Sequence, residues 1–474
     1  MGSYSLPSRY WGNIRPQVLF AVLLLCLSYS VASCAAGDIG VSIQPDVVQA
    51  EISPYVVGIH FVYSDAKDSI YEDGRVADWS KSAGIGVARF PGGGALKGWD
   101  WQNPTGLRKV DRWDPDYQGK VSPESDWMSL DEFLQFVGRS GVTPLIGVDY
   151  LSGLKFGKRE QSVKRAADLV KYVKDAGYPG TFYYIGNEDI HLAGGIRQAA
   201  SAFVDHAKAM KAVDPAIKIF WNDNSVNPKR LKEYLTIAGK WADGVELHGK
   251  WPYGGNWSKE AYRLRDWQDQ SPIKDAKRGI YSKRIKKLRK VAKDAGYPDL
   301  LFANNEYGLH ASKNRFVDFS RYSKSLATLD YLIDLIVGDY DMTSFWSNVG
   351  DEKFLMDERH GYRMNPVHIG LGMLAQVQGT SMVKYQLNGK RLNGFVAKTK
   401  DGRLLVVLLN KDDKARKVKL TLDPRSNSSL SGRMTVMQDS ADHWGEKVVS
   451  DVGDLGKGFS IPPLSLVLLD LPLR

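Results

Sequence analysis

The chain has almost no cysteine: only Cys26 and Cys34 occur among its 474 residues, and both lie near the N-terminus. This scarcity excludes a disulfide-stabilised fold, and a chain of this length can bury a core large enough to do without one. The eight histidines show no HExxH spacing, and there is neither a GxSxG elbow nor a phosphate-binding P-loop. The lysine- and arginine-rich segment 274–293 has apolar residues at helical spacing, which indicates a solvated helix face. The sequence therefore predicts no metal, no cofactor and no nucleic-acid partner.

The N-terminus has the pattern of an export signal. Two arginines precede the apolar stretch Val18–Leu27, and Val31-Ala32-Ser33-Cys34 follows it. A small or aliphatic triplet before cysteine is the lipobox of bacterial lipoproteins, so we expect residues 1–33 to be a signal peptide and Cys34 to carry the lipid. The alternatives are ordinary cleavage at a neighbouring alanine or an uncleaved anchor. The expected location is the bacterial cell envelope, at the outer membrane or cell surface, and otherwise the periplasm or the medium. Contact with the membrane would be made only through Cys34.

The central part of the chain has the pattern of an α/β barrel. Between about residues 54 and 380, eight short apolar runs alternate with eight longer segments of helical periodicity. Several helical segments end at a glycine with a proline just beyond, which is a typical helix stop. Eight consecutive β–α units predict a (β/α)8 barrel, also called a TIM barrel.

A smaller β domain is predicted after the barrel. Residues 381–474 contain short, β-branched runs separated by turn residues, which favours a C-terminal antiparallel β-sandwich. The segment 34–53 includes the strand-like stretch Ile39 to Ala50. We expect this segment to join the C-terminal sheet, so that both ends of the chain build the small domain.

Two glutamates follow apolar runs of the barrel region. Glu188 stands in Gly186-Asn187-Glu188 after Phe182–Ile185, and Glu306 stands in Asn305-Glu306-Tyr307 after Leu300–Ala303. In a TIM barrel, residues at the C-terminal ends of the strands face the catalytic mouth. Two carboxylates about 5–5.5 Å apart are the requirement of a retaining glycosidase, which uses one as nucleophile and the other as general acid/base.

Several motifs resemble family 51 glycoside hydrolases, the arabinofuranosidase-type members of the clan A retaining barrels. The first is Arg89-Phe90-Pro91-Gly92-Gly93 with Gly98-Trp99-Asp100-Trp101 beyond it. The others are, in chain order, Ser129 to Phe136, Gly186-Asn187-Glu188, Leu247-His248 and Arg363-Met364-Asn365-Pro366. The resemblance implies that Glu188 is the acid/base, that Glu306 is the nucleophile, and that Arg89 and Asn187 support them.

Further residues are expected to bind substrate around this pair. Arg89 can keep the Glu306 carboxylate ionised through charge-assisted hydrogen bonds, and Asn187 would meet the sugar 2-hydroxyl. His248 is either a hydrogen-bond donor near Glu306 or a structural histidine. Aromatic rings that would line the cleft include Trp99, Tyr307 and Trp346, because the apolar face of a sugar packs on such rings. For most of the chain's aromatic rings, packing in the core or on the surface is the expected role.

The chain departs from the family in the pocket for a terminal arabinofuranose. Gly94 stands where asparagine or cysteine is usual, and Gly58-Ile59-His60-Phe61-Val62-Tyr63 lacks the usual first-strand glutamate. Two substrates therefore compete: a terminal α-L-arabinofuranose, or an internal linkage of a neutral or anionic polysaccharide cleaved by an endo-acting β-glycanase. The formal net charge of +10 suits an anionic polymer. A third alternative, a non-catalytic carbohydrate-binding envelope lipoprotein, has no need of the glutamate pair.

Overall fold

The computed structural model describes residues 39–65, 67–102, 110–116, 127–223, 226–248, 262–269, 279–309, 316–422 and 430–473. Its centre is a closed barrel in which each neighbouring pair of strands runs parallel. The eight barrel strands are β2 (Gly58–His60), β3 (Val87–Phe90), β4 (Thr143–Val148), β5 (Phe182–Ile185), β6 (Lys218–Asn222), β7 (Gly244–Leu247), β9 (Leu301–Tyr307) and β11 (Met342–Phe345). Most of their residues are buried, because helices cover the outside of a parallel barrel and side chains fill its inside.

The described helices surround this barrel. They are α1 (Arg75–Ala83), α2 (Leu130–Ser140), α3 (Leu151–Lys155), α4 (Arg159–Asp175), α5 (Ile196–Val213), α6 (Pro228–Ala238), α7 (Leu264–Asp269), α8 (Gly279–Asp294), α9 (Arg321–Val337) and α10 (Val367–Ala375). Helix α2 shows how local sequence sets a boundary: Ser129 accepts a hydrogen bond from the Glu132 backbone N–H, and the Glu132 carboxylate accepts one from the Ser129 N–H. Gly141 ends the same helix in the left-handed conformation with φ 74°.

Short strands form in the segments between barrel elements. β8 (Tyr262–Arg263) pairs in parallel with β10 (Phe316–Val317), while β12 (Val349–Gly350), β13 (Met356–Asp357) and β14 (Arg363–Met364) form a small three-stranded sheet. None of the helices in the described ranges combines the length and apolar composition needed to cross a membrane.

A second sheet of nine strands lies beside the barrel. Its strands are β1 (Ile39–Glu51), β15 (Ser381–Leu387), β16 (Leu392–Lys398), β17 (Leu404–Asn410), β18 (Arg416–Leu422), β19 (Gly432–Gln438), β20 (Glu446–Val452), β21 (Phe459–Ile461) and β22 (Ser465–Leu471). Strand β1 pairs antiparallel with β15 and parallel with β18, so the beginning and end of the described chain share this sheet. Residues from both halves of the strand order meet in one apolar core, so the sheet curls over that core as a sandwich does.

The nine-stranded sheet also packs against the barrel. Side chains of β17 alternate between two cores: Leu404, Val406 and Leu408 lie in the sheet's own core, and Leu405, Val407 and Leu409 lie in the core shared with the barrel. The phenol of Tyr322 donates to backbone oxygens of Met437 and Leu464 at 3.0 and 2.8 Å. A TIM barrel with a smaller antiparallel β domain is thus confirmed as the fold class.

Two features of the strands differ from what the sequence indicates. Strand β9 continues to Tyr307 although its apolar run ends at Ala303. The reason is that Asn304 and Asn305, both fully buried, hydrogen-bond to neighbouring hydroxyls: Asn304 donates to Tyr331, and Asn305 accepts from Ser344. Strand β20 escapes detection because it is exposed and charged at the edge of its sheet, where alternation is absent.

Candidate active site

Glu188 is presented by a tight turn directly after β5. Gly186 and Glu188 have φ values of 79° and 59°, the left-handed region that a non-glycine residue rarely adopts. Two side chains hold this turn: the Glu188 N–H donates to Oδ1 of Asn222 at 2.8 Å, and the Asn187 N–H donates to Oδ2 of Asp189 at 2.7 Å. The unusual backbone is thereby over-determined by its surroundings, as is common at active sites.

Glu306 lies near the end of β9 and faces Glu188 across the barrel mouth. One carboxylate oxygen of each glutamate and one ring nitrogen of His248 all lie within 4.8 Å of one another. The Glu306 residue is 5% exposed, and Glu188 is partly buried. The structure therefore brings together the two carboxylates that the sequence singles out.

Arg89, at the penultimate position of β3, organises this group. Its Nη1 donates to Oε1 of Glu306 at 3.1 Å, and its Nη2 donates to Oδ1 of Asn187 at 2.9 Å. Its Nε lies 2.7 Å from Oε1 of Glu246, and the guanidinium carbon lies 4.0 Å from the centre of the Tyr184 ring. Burial lowers the pKa of Arg89, but Glu246, Tyr184 and Glu306 outweigh that effect and raise it. The guanidinium is thus a fixed, fully buried cation.

His248, directly after β7, lies between the carboxylates. Its Nδ1 is 2.7 Å from Oε1 of Glu188 and 3.4 Å from Oε2 of Glu306, while its Nε2 is 3.2 Å from Oε1 of Glu246. Burial lowers the pKa of His248, but the nearby Glu306, Glu188 and Glu246 outweigh it and raise the pKa to about 9. The imidazole is therefore a cation at neutral pH that contacts both members of the pair.

Glu246 is a buried member of the site that sequence reasoning missed. It is fully buried on β7. Burial raises its pKa, but Arg89 and His248 lower the pKa by a larger amount, so that the net pKa lies below the ordinary value. The signal was available in the sequence: along a strand, residues two apart point to the same side, and Glu246 stands two positions before His248. An acidic residue in an otherwise apolar strand, two positions from a candidate site residue, is itself a candidate site residue.

His60 is the last residue of β2. Its Nδ1 lies 3.0 Å from the backbone oxygen of Asn305, and its Nε2 lies 3.0 Å from Nη1 of Arg89. A carbonyl oxygen only accepts and a guanidinium only donates, so the neutral ring with its proton on Nδ1 satisfies both contacts. His60 thus accepts from Nη1 of Arg89, whereas Glu246 lies against Nε of the same guanidinium.

Gly93 and Trp346 border the Glu306 carboxylate. A Cβ placed on Gly93 would lie 2.7 Å from Oε1 of Glu306 and 3.2 Å from the Trp346 indole, whereas a Cβ on Gly94 would meet no heavy atom within 4 Å. The Trp346 ring also packs edge-on against His60 with centroids 4.5 Å apart. Trp346 remains partly exposed beside the pair.

Two of the aromatic residues expected to bind substrate belong to the core instead. Tyr307 is fully buried against Tyr331 and Phe345, because it is the residue of β9 after Glu306 and points to the opposite side of the strand. Trp99 is 4% exposed and packs edge-on against Phe90. The expectation that Tyr307 and Trp99 line the cleft is corrected by this burial. Cys34 lies outside the described residues.

The grouping of Glu188, His248 and Glu306 is the one set of metal-binding side-chain types brought together within the described ranges. A metal ligand needs a neutral imidazole, and here Nδ1 of a histidine with a raised pKa already contacts both carboxylates. The donor set therefore fits a proton shared between nitrogen and oxygen better than a cation.

A family model and several solved structures are similar to this chain. The family model described as alpha-L-arabinofuranosidase 1 domain matches residues 81–249, which contain Arg89, Asn187, Glu188 and His248. A search of curated proteins finds no match. The predicted resemblance to family 51 glycoside hydrolases is confirmed by this match together with the fold.

Solved structures share the fold at low sequence identity. An alpha-L-arabinofuranosidase from Thermotoga maritima, in complex with arabinose, has a TM-score of 0.69 at 15% identity and covers 92% of this chain and 100% of its own. A family 51 arabinofuranosidase from Xanthomonas axonopodis pv. citri has a TM-score of 0.67 at 16% identity, covering 92% and 99%. A family 44 xyloglucanase from Paenibacillus polymyxa has a TM-score of 0.63 at 14% identity, covering 92% and 100%.

Proposed function

We propose that this chain, a family 51-like glycoside hydrolase, cleaves O-glycosidic bonds of a polysaccharide with retention of anomeric configuration. The observation that carries the proposal is the proximity of Glu188 and Glu306, which have carboxylate oxygens within 4.8 Å of each other at the barrel mouth. An inverting enzyme needs about 6.5–9.5 Å between its carboxyl groups to fit a water molecule. The shorter separation suits direct attack by one carboxylate on the sugar.

In the first step, Glu306 attacks the anomeric carbon while Glu188 protonates the leaving oxygen. The bond from carbon to the leaving oxygen breaks as the bond to the Glu306 carboxylate forms, and the leaving sugar departs with the Glu188 proton. Arg89 supports this role of Glu306, since its Nη1 hydrogen bond at 3.1 Å orients the carboxylate for attack. The product of the step is a glycosyl ester of Glu306.

In the second step, Glu188 acts as general base toward water. It removes a proton as the water oxygen attacks the anomeric carbon, and Glu306 leaves as a carboxylate. Two inversions give net retention. No cofactor is needed, because both steps use only the carboxylates and water. A non-catalytic binding protein would not need this paired arrangement.

Asn187 and Trp346 are the residues that we propose to contact the sugar. Oδ1 of Asn187 already accepts from Arg89 at 2.9 Å, so its amide nitrogen is the atom that we expect to meet the 2-hydroxyl. A hydrogen bond there strengthens as charge develops on the ring in the transition state. The indole of Trp346, beside Gly93 and Glu306, offers an apolar surface for the sugar.

Gly93→Ala is expected to lower kcat/KM by about 10²-fold, a loss typical of misplacing a reacting group by roughly 1 Å. The added Cβ would come within 2.7 Å of the Glu306 oxygen, so that carboxylate must move. The matched control is Gly94→Ala, whose Cβ meets no heavy atom within 4 Å and which should keep wild-type activity. Steady-state kinetics gives kcat/KM for both variants. Equal values for the two would contradict the proposed place of Glu306.

For the substrate, the leading candidate is a terminal α-L-arabinofuranose. The support is the match of residues 81–249 to the arabinofuranosidase family model and the likeness of the fold to arabinofuranosidase structures. An exo-acting enzyme of this kind would release arabinose as its first product.

The second candidate is an internal linkage of a β-glycan. It is favoured by the first-strand stretch Gly58-Ile59-His60-Phe61-Val62-Tyr63, which lacks an acid, and by the open space beside Gly94. The likeness of the fold to a xyloglucanase structure agrees with it. An endo-acting enzyme would shorten the polymer before any monosaccharide accumulates.

A panel of arabinan, arabinoxylan, β-glucans and acidic polysaccharides tests both candidates. Product size separates early arabinose release from oligosaccharide release. Proton NMR of the first product reads the anomeric configuration before mutarotation, and inversion there would overturn the proposed double displacement.

We also propose that the protein is anchored in a bacterial envelope through Cys34, on the support of the lipobox in the sequence. Cys34→Ala is expected to move the protein from the membrane fraction to the soluble fraction and to abolish incorporation of labelled palmitate. Because the lipid on Cys34 is the only membrane contact that we propose, its loss should give near-complete release. Cys26→Ala, inside the apolar stretch, is the matched control and should remain lipidated.

A further inference from the structure

Glu246 is the third carboxylate of the site, and it is too deeply buried to contact a sugar. We propose that Glu246 is a positioning residue: it fixes His248 so that the imidazole and Glu188 share the single proton that is delivered to the leaving oxygen. The proposal rests on the glycosidase function above and adds to it the source of the acid's proton.

The geometry determines which ring nitrogen faces which partner. Nε2 of His248 lies 3.2 Å from Oε1 of Glu246 and 3.0 Å from Nδ2 of Asn222. An imidazolium carries a proton on both ring nitrogens, and the Asn222 amide nitrogen cannot accept, so Glu246 is the acceptor that faces the Nε2 proton. The other nitrogen, Nδ1, is left facing Glu188 at 2.7 Å and Glu306 at 3.4 Å. A carboxylate that fixes the tautomer of a catalytic imidazole acts in the same way in other hydrolases.

Glu246 is itself held in place by two residues besides His248. Its Oε1 lies 2.7 Å from Nε of Arg89, and Asn222 hydrogen-bonds to its carboxylate. Asn222 also accepts the Glu188 N–H at 2.8 Å. One polar cluster thus links the backbone of the acid/base to the residue that orients His248.

The charges around His248 explain why it retains a proton. It faces Glu188 from the end of β5, Glu306 from β9 and Glu246 from its own strand, while Asn222 of β6 is uncharged and Arg89 of β3 lies beyond Glu246. Three carboxylates against one guanidinium leave an excess of negative charge, which an imidazolium offsets. Removing Glu246 should therefore favour the deprotonated ring.

The proton movements balance over the two steps. As the glycosidic bond breaks, the proton held between Nδ1 and Oε1 of Glu188 passes to the leaving oxygen, and the pair is left with a neutral imidazole and a carboxylate. When water attacks the glycosyl ester, Glu188 takes a proton from it, and the pair again holds one proton. Glu246 keeps its charge throughout.

Glu246→Gln tests this inference with two readouts. The first is the titration of His248 by NMR on histidine-labelled protein, with the signal assigned from His248→Gln. The second is the pH profile of kcat/KM. Loss of a charge at this distance should move the His248 titration and the alkaline limb of the profile downward together by about 1 unit or more. The direction follows because Glu246 stabilises the protonated ring, so without it the proton leaves at lower pH.

Asp341→Asn is the matched control. It also removes a half-buried carboxylate from an arginine, since Asp341 pairs with Arg289 at 2.9 Å, but it lies at the opposite end of the barrel strands. Neither the His248 titration nor the alkaline limb should move in this variant. If Glu246→Gln does not fold, Glu246→Asp keeps the charge but withdraws it from Nε2, and a smaller downward shift is expected.

Three outcomes would overturn the inference. An unchanged His248 titration in the folded variants would make Glu246 only a counterion of Arg89. A lowered titration with an unmoved alkaline limb would remove the shared proton from catalysis. A uniform loss of activity at every pH would mean a purely structural role. Should the wild-type protein cleave no glycan at all, the proposed function fails, whereas the NMR titration still decides whether Glu246 controls the proton on His248.

Discussion

Glu306→Ala is expected to lower kcat/KM by on the order of 10⁴-fold or more, because no other carboxylate can form the glycosyl ester. The folded state should survive, since the side chain lies at the barrel mouth and its removal relieves part of the negative charge around His248. Hydrolysis of an activated aryl glycoside and thermal unfolding, measured on the same preparation, check both expectations.

Azide rescue separates the role of Glu306 from that of Glu188. In Glu306→Ala the small anion can fill the space of the lost carboxylate and attack the anomeric carbon once, so the glycosyl azide should have inverted configuration. In Glu188→Ala the glycosyl ester still forms on substrates with a good leaving group, and azide attacks it, so the product should have retained configuration. The reverse pattern would exchange the two proposed roles.

Glu233→Gln serves as the control for both glutamate variants. Glu233 pairs with Arg197 on the outside of the barrel at 3.2 Å, so its removal changes charge without touching the mouth. Wild-type kinetics is expected there. Residual activity of Glu306→Ala equal to that of this control would exclude Glu306 as the nucleophile.

Arg89→Met is expected to lose both activity and stability. The substitution leaves Glu246 and Glu306 without their shared cation in a buried site, and removal of one partner of a buried ion pair costs about 3–5 kcal/mol of unfolding free energy. Loss of the Nη1 hydrogen bond at 3.1 Å also releases the nucleophile carboxylate. Denaturant titration gives the stability change, and steady-state kinetics gives the loss in kcat.

Two further variants separate the effect of Arg89 on catalysis from its effect on folding. Arg89→Lys keeps the charge but not the planar fork that reaches Glu306, Asn187 and Glu246 at once, so we expect part of the stability to return while activity stays low. Arg289→Met breaks a partly buried ion pair with Asp339 and Asp341 away from the mouth. It should lose stability with kcat unchanged. Equal kinetic losses in Arg89→Met and Arg289→Met would show that Arg89 acts only through folding.

The barrel could be predicted because its information is local. Each barrel strand is a short apolar run and each helix has its own periodicity and stop signal, so eight units can be counted without knowing their contacts. The same locality placed Glu188, since it follows the apolar run of β5 within a glycine turn. The prediction of β9 was poorer, because two buried asparagines continue the strand beyond its apolar residues.

The candidate site could be predicted only in part. Arg89, Asn187, His248 and Glu306 belong to motifs, and the structure brings all of them to one mouth. Glu246 belongs to no motif that we used, and its importance lies in contacts with residues far away in the chain. Conversely, Trp99 and Tyr307 stand inside motifs, yet their rings point into the core.

The sequence by itself determined the barrel, its order of strands and the pair of glutamates, because strand periodicity and chain order depend on neighbours along the chain. Only the tertiary structure decided the protonation of the site. The pKa of His248 is raised to about 9 by carboxylates brought from three strands, and the orientation of its ring is set by Glu246. Those effects fall off with distance in space rather than in sequence, so they exist only once the barrel has closed.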